Sequence, residues 1–328
     1  MTIDVETAAA APGTLRHSAA GMPRHHLAIF AALLAFGLVA PFVLYPVFLM
    51  KVLCFALFAC AFNLLLGFGG LLSFGHAAYF GSASYVCAHA AKVWGLSPEL
   101  SILLGAVAAA FLGLIFGSLA IRRQGIYFAM VTLAFAQMVF FFSLQAPFTG
   151  GEDGIQSVPR GYLLGMINLA PDLNLYFFVF AIVFVSLLVI YRIIHSPFGQ
   201  VLKAIRDNEP RTVSLGYRVN RYKLGVFVLS ATLAGVAGAT KAIVFQLASL
   251  TDVYWTMSGE VVLMTLLGGM GTVFGPIVGA AIIVTMQNYL ATFGAWVTVI
   301  QGVIFVAGVL LFREGIVGVI SRWVKKPL

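Results

Sequence analysis

Ten long apolar stretches limit what this chain can fold into more than any other feature of its sequence. Apart from one stretch of 12 residues, each approaches the roughly 20 residues that a helix needs to cross the hydrocarbon core of a membrane. The stretches are 27–45, 47–66, 71–91, 99–121, 125–146, 173–194, 224–247, 259–270, 276–292 and 296–312. They predict an all-α, polytopic transmembrane helical bundle of about ten membrane segments. The short stretch 259–270 is interpreted as half of a broken helix, or as extending further than drawn.

The distribution of charge supports a membrane location and argues against a nucleic-acid partner. Only 9% of the residues are charged, whereas a soluble domain carries about 25%, so many apolar side chains are expected to face lipid. Of the 19 basic residues, 15 fall in the N-terminal tail, at Arg122 and Arg123, in the loop 192–223, and at the C-terminal end. Because cytoplasmic loops are rich in Lys and Arg, we expect a multi-pass membrane protein with both termini in the cytoplasm.

These patterns divide the chain into three parts. Residues 1–26 are expected to form a cytoplasmic tail, and residues 313–328 a second one. Residues 27–312 form the predicted transmembrane domain, which includes a cytoplasmic loop at 195–223. The three cysteines fall within apolar stretches and lack metal-ligand spacing, so they are interpreted as packing residues. No cofactor or metal site is indicated.

Two glycine-rich segments interrupt the apolar pattern and resemble each other. One runs from Gly69 to His76 and the other from Gly268 to Pro276, which indicates an internal repeat. Paired interruptions of this kind are typical of broken or re-entrant helices that line a transport pathway. Close helix packing through small residues explains the same pattern equally well. The candidate residues are Gly70, Ser73, Gly75, His76, Gly268, Gly269, Gly271 and Gly275.

The loop 195–223 is too polar to span a membrane and too apolar for a flexible linker. Short amphipathic turns lie on either side of Pro210, which is expected to begin or end a helix. A short helix of this kind on the membrane face is suited to docking into a groove on another protein. The alternative interpretation is a solvated basic loop that only sets the topology.

Three charged residues lie inside or at the edge of apolar stretches and require an explanation, because charge is costly in a membrane. Lys51, Lys241 and Glu260 all fall toward the predicted outer ends of their segments. We hypothesise that Lys241 and Glu260 form an ion pair across the loop between them. His76 has no second ligand nearby in the sequence, so it is interpreted as a polar residue at a helix break near the pathway.

Five separated blocks of the sequence resemble one family of permeases. The blocks are the loop with Tyr222-Lys223-Leu224, then Ser230–Ala239, Leu72–Ala83, Thr149–Ile155 and Leu266–Pro276. Together they resemble the LivM-type permeases of branched-chain amino acid ABC importers, from about residue 45 to 312. The C-terminal end departs from that pattern at Phe312–Ile316.

The resemblance implies a set of partners and a coupling segment. The partners are a homologous LivH-type permease, two cytoplasmic ATP-binding subunits, a periplasmic substrate-binding protein and membrane lipid. The segment that matches the family's coupling loop runs from Ala204 to Gly216. Its candidate residues for ATPase coupling are Ala204, Ile205, Arg206, Glu209 and Gly216.

The residues also exclude several other functions. The chain contains no G-x-x-x-x-G-K phosphate loop, so any ATP must be hydrolysed by separate partner chains, and no catalytic motif indicates an enzyme. An ion-coupled secondary transporter remains an alternative, although it would need ionisable relays near mid-membrane. A membrane scaffold without transport is disfavoured by the paired interruptions. The resemblance implies a bacterial inner membrane as the location and leucine, isoleucine or valine as the substrates, with urea, short amides or other amino acids as alternatives.

Overall fold

The computed structural model describes residues 24–291, 294, 296–311 and 315–324. Its thirteen α-helices in the described ranges are α1 Arg24–Val39, α2 Pro46–Asn63, α3 His76–Lys92, α4 Pro98–Ala120, α5 Ile126–Gln145, α6 Asp172–Ile194, α7 Pro197–Asp207, α8 Glu209–Ser214, α9 Val219–Phe245, α10 Trp255–Gly268, α11 Gly275–Leu290, α12 Trp296–Leu311 and α13 Gly315–Val324. Ten of them correspond to the ten apolar stretches. The prediction of an all-α, polytopic bundle is therefore confirmed.

Five helical segments are long and apolar enough to cross a membrane on their own. They are Pro46–Phe68, α4, α5, α6 and α9. The first and the last have the largest buried share, so they form the centre of the bundle. α9 packs against α2, α3 and α4, and its small residues allow close approach.

Four two-residue strands lie at one end of the bundle. Strand β1, Ile155–Gln156, pairs antiparallel with β4, Leu247–Ala248. Strand β2, Tyr162–Leu163, pairs antiparallel with β3, Ile167–Asn168. The β1–β4 pair joins the loop after α5 to the loop after α9.

Both described ends of the chain lie at the opposite end of the bundle, where α7 and α8 are found. His26 in α1 hydrogen-bonds Tyr191 near the end of α6, over 3.0 Å. At the other end of the sequence, a Cβ on Gly315 would overlap the backbone of Gly269. The predicted tail after residue 312 thus includes a helix, α13, which packs on the bundle and buries Val317. Residues 1–23, 313–314 and 325–328 of the predicted tails lie outside the described residues.

The third apolar stretch begins as a helix later than predicted. Residues 71–75 are irregular, and α3 begins only at His76. α2 continues through a π-helical turn, Leu64–Phe68, and the chain then turns at Gly70 with φ +68°. A left-handed backbone of this kind ends helical hydrogen bonding, and glycine adopts it without strain.

Candidate functional site

The two glycine-rich breaks lie side by side, although about 200 residues separate them in the sequence. The Asn63 side chain at the end of α2 joins them. Its Nδ2 donates to the Thr272 carbonyl oxygen over 2.8 Å, and its Oδ1 accepts from the Gly271 amide over 2.9 Å. The approach is close, because a Cβ added at Gly67 would lie 2.6 Å from the Gly271 nitrogen.

Local hydrogen bonds stabilise the second break, between α10 and α11. Gly269 and Gly271 have φ values of +128° and +79°, which non-glycine residues rarely adopt. Thr272 Oγ1 donates to the Gly269 carbonyl over 2.8 Å and accepts from the Gly275 amide over 3.0 Å. Gly268 and Gly275 are in direct contact, since a Cβ on Gly268 would overlap the Gly275 carbonyl. Close packing is thus observed here, and a role in a pathway stays a proposal.

Side chains of the first break are also engaged in local contacts. The buried Ser73 accepts from the Gly75 amide over 3.2 Å, and the Phe74 amide donates to Thr132 Oγ1 over 3.1 Å. A Cβ on Gly75 would lie 2.8 Å from the Thr132 carbonyl oxygen, so the break packs directly on α5.

His76, the first residue of α3 after the break, is fully buried between α2, α3 and α9. Its Nε2 lies 2.8 Å from Ser230 Oγ, and that hydroxyl donates to the Ala61 carbonyl over 2.5 Å. Because serine has only one hydroxyl proton, Nε2 must be the protonated nitrogen of the ring. Phe62 and Tyr79 contact the ring edge-on. Within the described ranges, no group of His, Cys, Asp and Glu could hold a metal ion.

α7 and α8 are two short helices with side-chain caps at both starts. Ser196 Oγ accepts from the Gly199 amide over 3.3 Å, and Asn208 Oδ1 accepts from the Arg211 amide over 3.0 Å. Pro210 lies in the first turn of α8, as the sequence predicted. Ile205 is buried against the bundle, whereas Ala204 is exposed. The predicted amphipathic character is therefore confirmed for α7, whose Leu202 and Ile205 are buried, but not for the residues after Pro210.

Arg206 connects α7 to the first break. Its Nη1 donates to the Gly67 carbonyl oxygen over 2.6 Å, and Nε and Nη2 donate to Asp207 over 3.2 and 3.1 Å. Its aliphatic stem covers Gly70, where an added Cβ would lie 2.9 Å from Arg206 Cγ. Burial, with repulsion from Arg206, lowers the pKa of the neighbouring Lys203. A continuous set of contacts thus runs from α7 through Arg206, Gly67 and Asn63 to the second break.

Glu209 fastens α8 to the bundle. Its carboxylate accepts from Lys223 Nζ over 2.7 and 2.8 Å, and from Gln124 Nε2 over 3.3 Å. Lys223 belongs to α9 and is buried, so this ion pair is largely shielded from solvent. The sequence predicted Glu209 as a site residue and Asn63 as a residue that hydrogen-bonds between helices, but it did not assign Asn63, Gln124 or Lys223 to the site. The occurrence of Lys223 in a resembling block was the one signal available for it.

An exposed apolar surface lies next to this ion pair. We call Val213, Leu215 and Tyr217 the docking patch; their exposed fractions are 55%, 68% and 43%. Gly216 sits among them with φ +88°, and no heavy atom would lie within 4 Å of a Cβ added there. These three large side chains occupy alternate positions and form a small exposed apolar surface on an otherwise polar segment.

The predicted ion pair between Lys241 and Glu260 is wrong. Lys241 Nζ instead donates to both oxygens of Asp252, over 2.8 and 2.6 Å, and both residues are buried. Asp252 reaches Lys241 because β4 and the 3-10 turn Leu250–Asp252 fold back over the end of α9. Glu260 lies one turn into α10 and faces Lys51 and Gln287.

The ion pair between Lys241 and Asp252 predicts which substitutions destabilise this end of the bundle. We expect Lys241→Met and Asp252→Asn each to lower the free energy of unfolding by about 3–5 kcal/mol, because each leaves a buried group without its partner. Glu260→Gln should have a smaller effect. Thermal unfolding of the purified protein measures this, and an equal loss in Glu260→Gln and Asp252→Asn would contradict the assignment.

The long apolar helices and the buried central helices define a multi-pass helical membrane protein. Comparison with known protein families assigns the chain to one family of membrane proteins. The chain belongs to the family described as the branched-chain amino acid transport system permease component, whose profile matches residues 45–310. Members of this family are transport subunits rather than enzymes.

Individual relatives are also permeases, and their names include two different classes of substrate. The LivM permease proteins of high-affinity branched-chain amino acid transport in Salmonella typhimurium and Escherichia coli are each 28% identical over 246 residues. That match covers 68% of this chain but only 58% of the relatives' length. The ribose import permease RbsC of Bacillus subtilis is 27% identical over 239 residues, which is 68% of this chain and 70% of RbsC. No solved structure matches the chain.

Proposed function

We propose that this chain is the membrane-spanning permease subunit of an ATP-driven importer. It translocates branched-chain amino acids, delivered by a periplasmic binding protein, across a bacterial inner membrane. A homologous LivH-type permease forms the pathway with it, and two cytoplasmic ATP-binding subunits supply the energy. The observation that carries this proposal is the connected set of contacts from α7 and α8, through Arg206 and Asn63, to two adjacent helix breaks.

In this proposal the docking patch receives the motion of an ATP-binding subunit. Glu209 and Lys223 transmit the displacement of α8 to α9, and Arg206 transmits that of α7 to the turn at Gly67. Asn63 then moves the second break together with the first. Broken helices are suited to this role because their backbone can change direction without separating long packed faces.

The same proposal assigns the membrane orientation. The loop 192–223, which contains α7 and α8, carries seven of the 19 basic residues, and the positive-inside rule favours a cytoplasmic location for it. His26 of α1 and Gly315 of α13 contact the same end of the bundle, so both described chain ends are assigned to that face.

The identity of the substrate is a separate part of the proposal. The LivM relatives and the family description favour leucine, isoleucine and valine, whereas the RbsC match favours a sugar as the second candidate. Urea and short amides are further alternatives. Uptake of labelled leucine and ribose by cells that carry the chain with its cognate partners separates them: leucine uptake supports the proposal, and ribose uptake alone rejects it. An ion-coupled transporter would instead show gradient-driven uptake by this chain alone.

Replacing Asn63 tests the proposed connection between the breaks. We expect Asn63→Ala to reduce uptake by about tenfold or more, because both the Gly271 amide and the Thr272 carbonyl lose a buried partner. ATP hydrolysis by the assembled importer should continue, since α7 and α8 are unchanged. Asn220→Ala, at an exposed position of α9, is the matched control. Normal uptake in Asn63→Ala would show that the connection is not needed for transport.

A further inference from the structure

A cavity of about 370 Å³ lies at the end of the bundle opposite α7 and α8. It lies between the start of α2 and the ends of α9 and α11. Apolar and aromatic side chains, including Phe48 and Phe245, form much of its wall, and Lys51, Asn288 and Tyr289 add polar groups. The volume falls within the range of small-molecule pockets, about 300–1,000 Å³, which combine apolar walls with a few polar groups.

Lys51 is the one charged residue on the wall of this cavity. In the described part of the chain it forms no hydrogen bond and no ion pair, although Glu260 and Lys241 lie within electrostatic range. Lys241 is occupied by Asp252, so it does not compete for an anion. A partly buried ammonium without an acceptor is costly, and a ligand that supplies the acceptor would offset this cost.

The surrounding charges favour a zwitterion over a simple anion. Glu260 is not part of the cavity wall, but its carboxylate lies close enough to Lys51 to influence it electrostatically. A phosphate or another plain anion would meet the attraction of Lys51 together with the repulsion of Glu260. An α-amino acid carries both charges, and its aliphatic side chain fits a wall that contains Phe48 and Phe245.

We propose that this cavity is a binding site for an aliphatic α-amino acid at the outer end of the pathway, with Lys51 binding its carboxylate. The inference rests on the proposed import function and deepens it, because it assigns the recognition of the carboxylate to this chain. Asn288, which lines the same cavity, supplies an amide donor, and Phe48 and Phe245 contact the side chain of the ligand.

Protection of a single cysteine tests the site directly. The native Cys54, Cys60 and Cys87 are all buried, so Tyr289→Cys, at a position that is 74% exposed, introduces the reactive thiol. In the assembled importer we expect saturating leucine to slow maleimide labelling of this cysteine. Leucinamide, which lacks the carboxylate, should not slow it. Adding Lys51→Met should remove the protection, and adding Lys51→Arg should retain it.

Measuring uptake supplies a second readout, and it distinguishes failure of the proposed binding site from failure of the proposed import function. Lys51→Met is expected to raise the KM for leucine by about tenfold, the effect of losing one charge-assisted hydrogen bond. Leucine uptake by the wild type without any protection of the cysteine would reject the site and leave the import function standing. Equal protection by leucinamide would also reject the site. So would a labelling rate that leucine leaves unchanged and that rises only when phospholipid is removed, because a lipid would then occupy the cavity. Protection by leucine without uptake would reject the import function alone.

Discussion

Replacing Glu209 by Lys is expected to abolish uptake by the assembled importer while the chain still inserts into the membrane. The substitution places a second ammonium beside Lys223, whose side chain is only 6% exposed, and removes the acceptor of Gln124. Breaking a buried ion pair from one side costs about 3–5 kcal/mol, and the 28% exposure of Glu209 places the cost near the lower limit. α8 has only six residues, so this loss is large enough to detach it from α9.

A charge swap separates the ion pair from a general effect of positive charge. We expect the double variant Glu209→Lys with Lys223→Glu to recover much of the uptake, because the pair can form again with its charges reversed. Glu152→Lys makes the same change at an exposed position of another loop, and should transport normally. Full uptake in Glu209→Lys, or a double variant no better than the single one, would refute a coupling role for this pair.

Replacing Gly279 by Ala is expected to prevent α10 and α11 from packing. An added Cβ would overlap the Met264 carbonyl oxygen and lie 2.9 Å from the Gly268 nitrogen, and neither backbone atom can rotate away. Overpacking typically costs about 1–3 kcal/mol, and contact with backbone favours the upper limit. Because the second break lies between these helices, we expect both the unfolding temperature and uptake to fall sharply.

The matched control for this substitution is Gly259→Ala on α10. No heavy atom lies within 4 Å of a Cβ added at Gly259, so the same chemical change meets open space. Alanine favours a helix interior over glycine by about 1 kcal/mol, so Gly259→Ala should be neutral or stabilising. Equal thermal unfolding of the two variants would contradict the close packing described for Gly279.

The sequence predicts the membrane segments well because length and apolar composition decide them locally. It places the boundary of α3 less well, since the irregular residues after Gly70 are as apolar as the helix that follows. α13 was missed because the stretch 313–328 carries four basic residues, a pattern typical of a cytoplasmic tail. Its packing depends on the contact between Gly315 and Gly269, which no local pattern reveals.

The candidate site was predicted in part for a similar reason. Turn-forming Gly and Pro residues mark the breaks and the start of α8, because their backbone preferences act locally. The partners of the site residues depend on tertiary packing. Asn63 meets Gly271 only after α2 and α11 pack, and the loop after β4 decides that Lys241 pairs with Asp252 rather than Glu260.

The central claim is that α8 lies on the cytoplasmic face, where an ATP-binding subunit can act on it. The side of the membrane on which α8 lies in the inserted importer tests this claim most directly. Ser214→Cys places a thiol at an exposed position beside the docking patch, while the native cysteines stay buried. Met166→Cys, at a position that is 86% exposed between β2 and β3, reports on the opposite end. With a membrane-impermeant maleimide, we predict that intact cells label only Met166→Cys and inverted vesicles only Ser214→Cys, with protection of the latter by bound ATP-binding subunits. Labelling of Ser214→Cys in intact cells would show that α8 lies outside the cytoplasm, where no ATP-binding subunit could contact it. That result would contradict the proposed coupling.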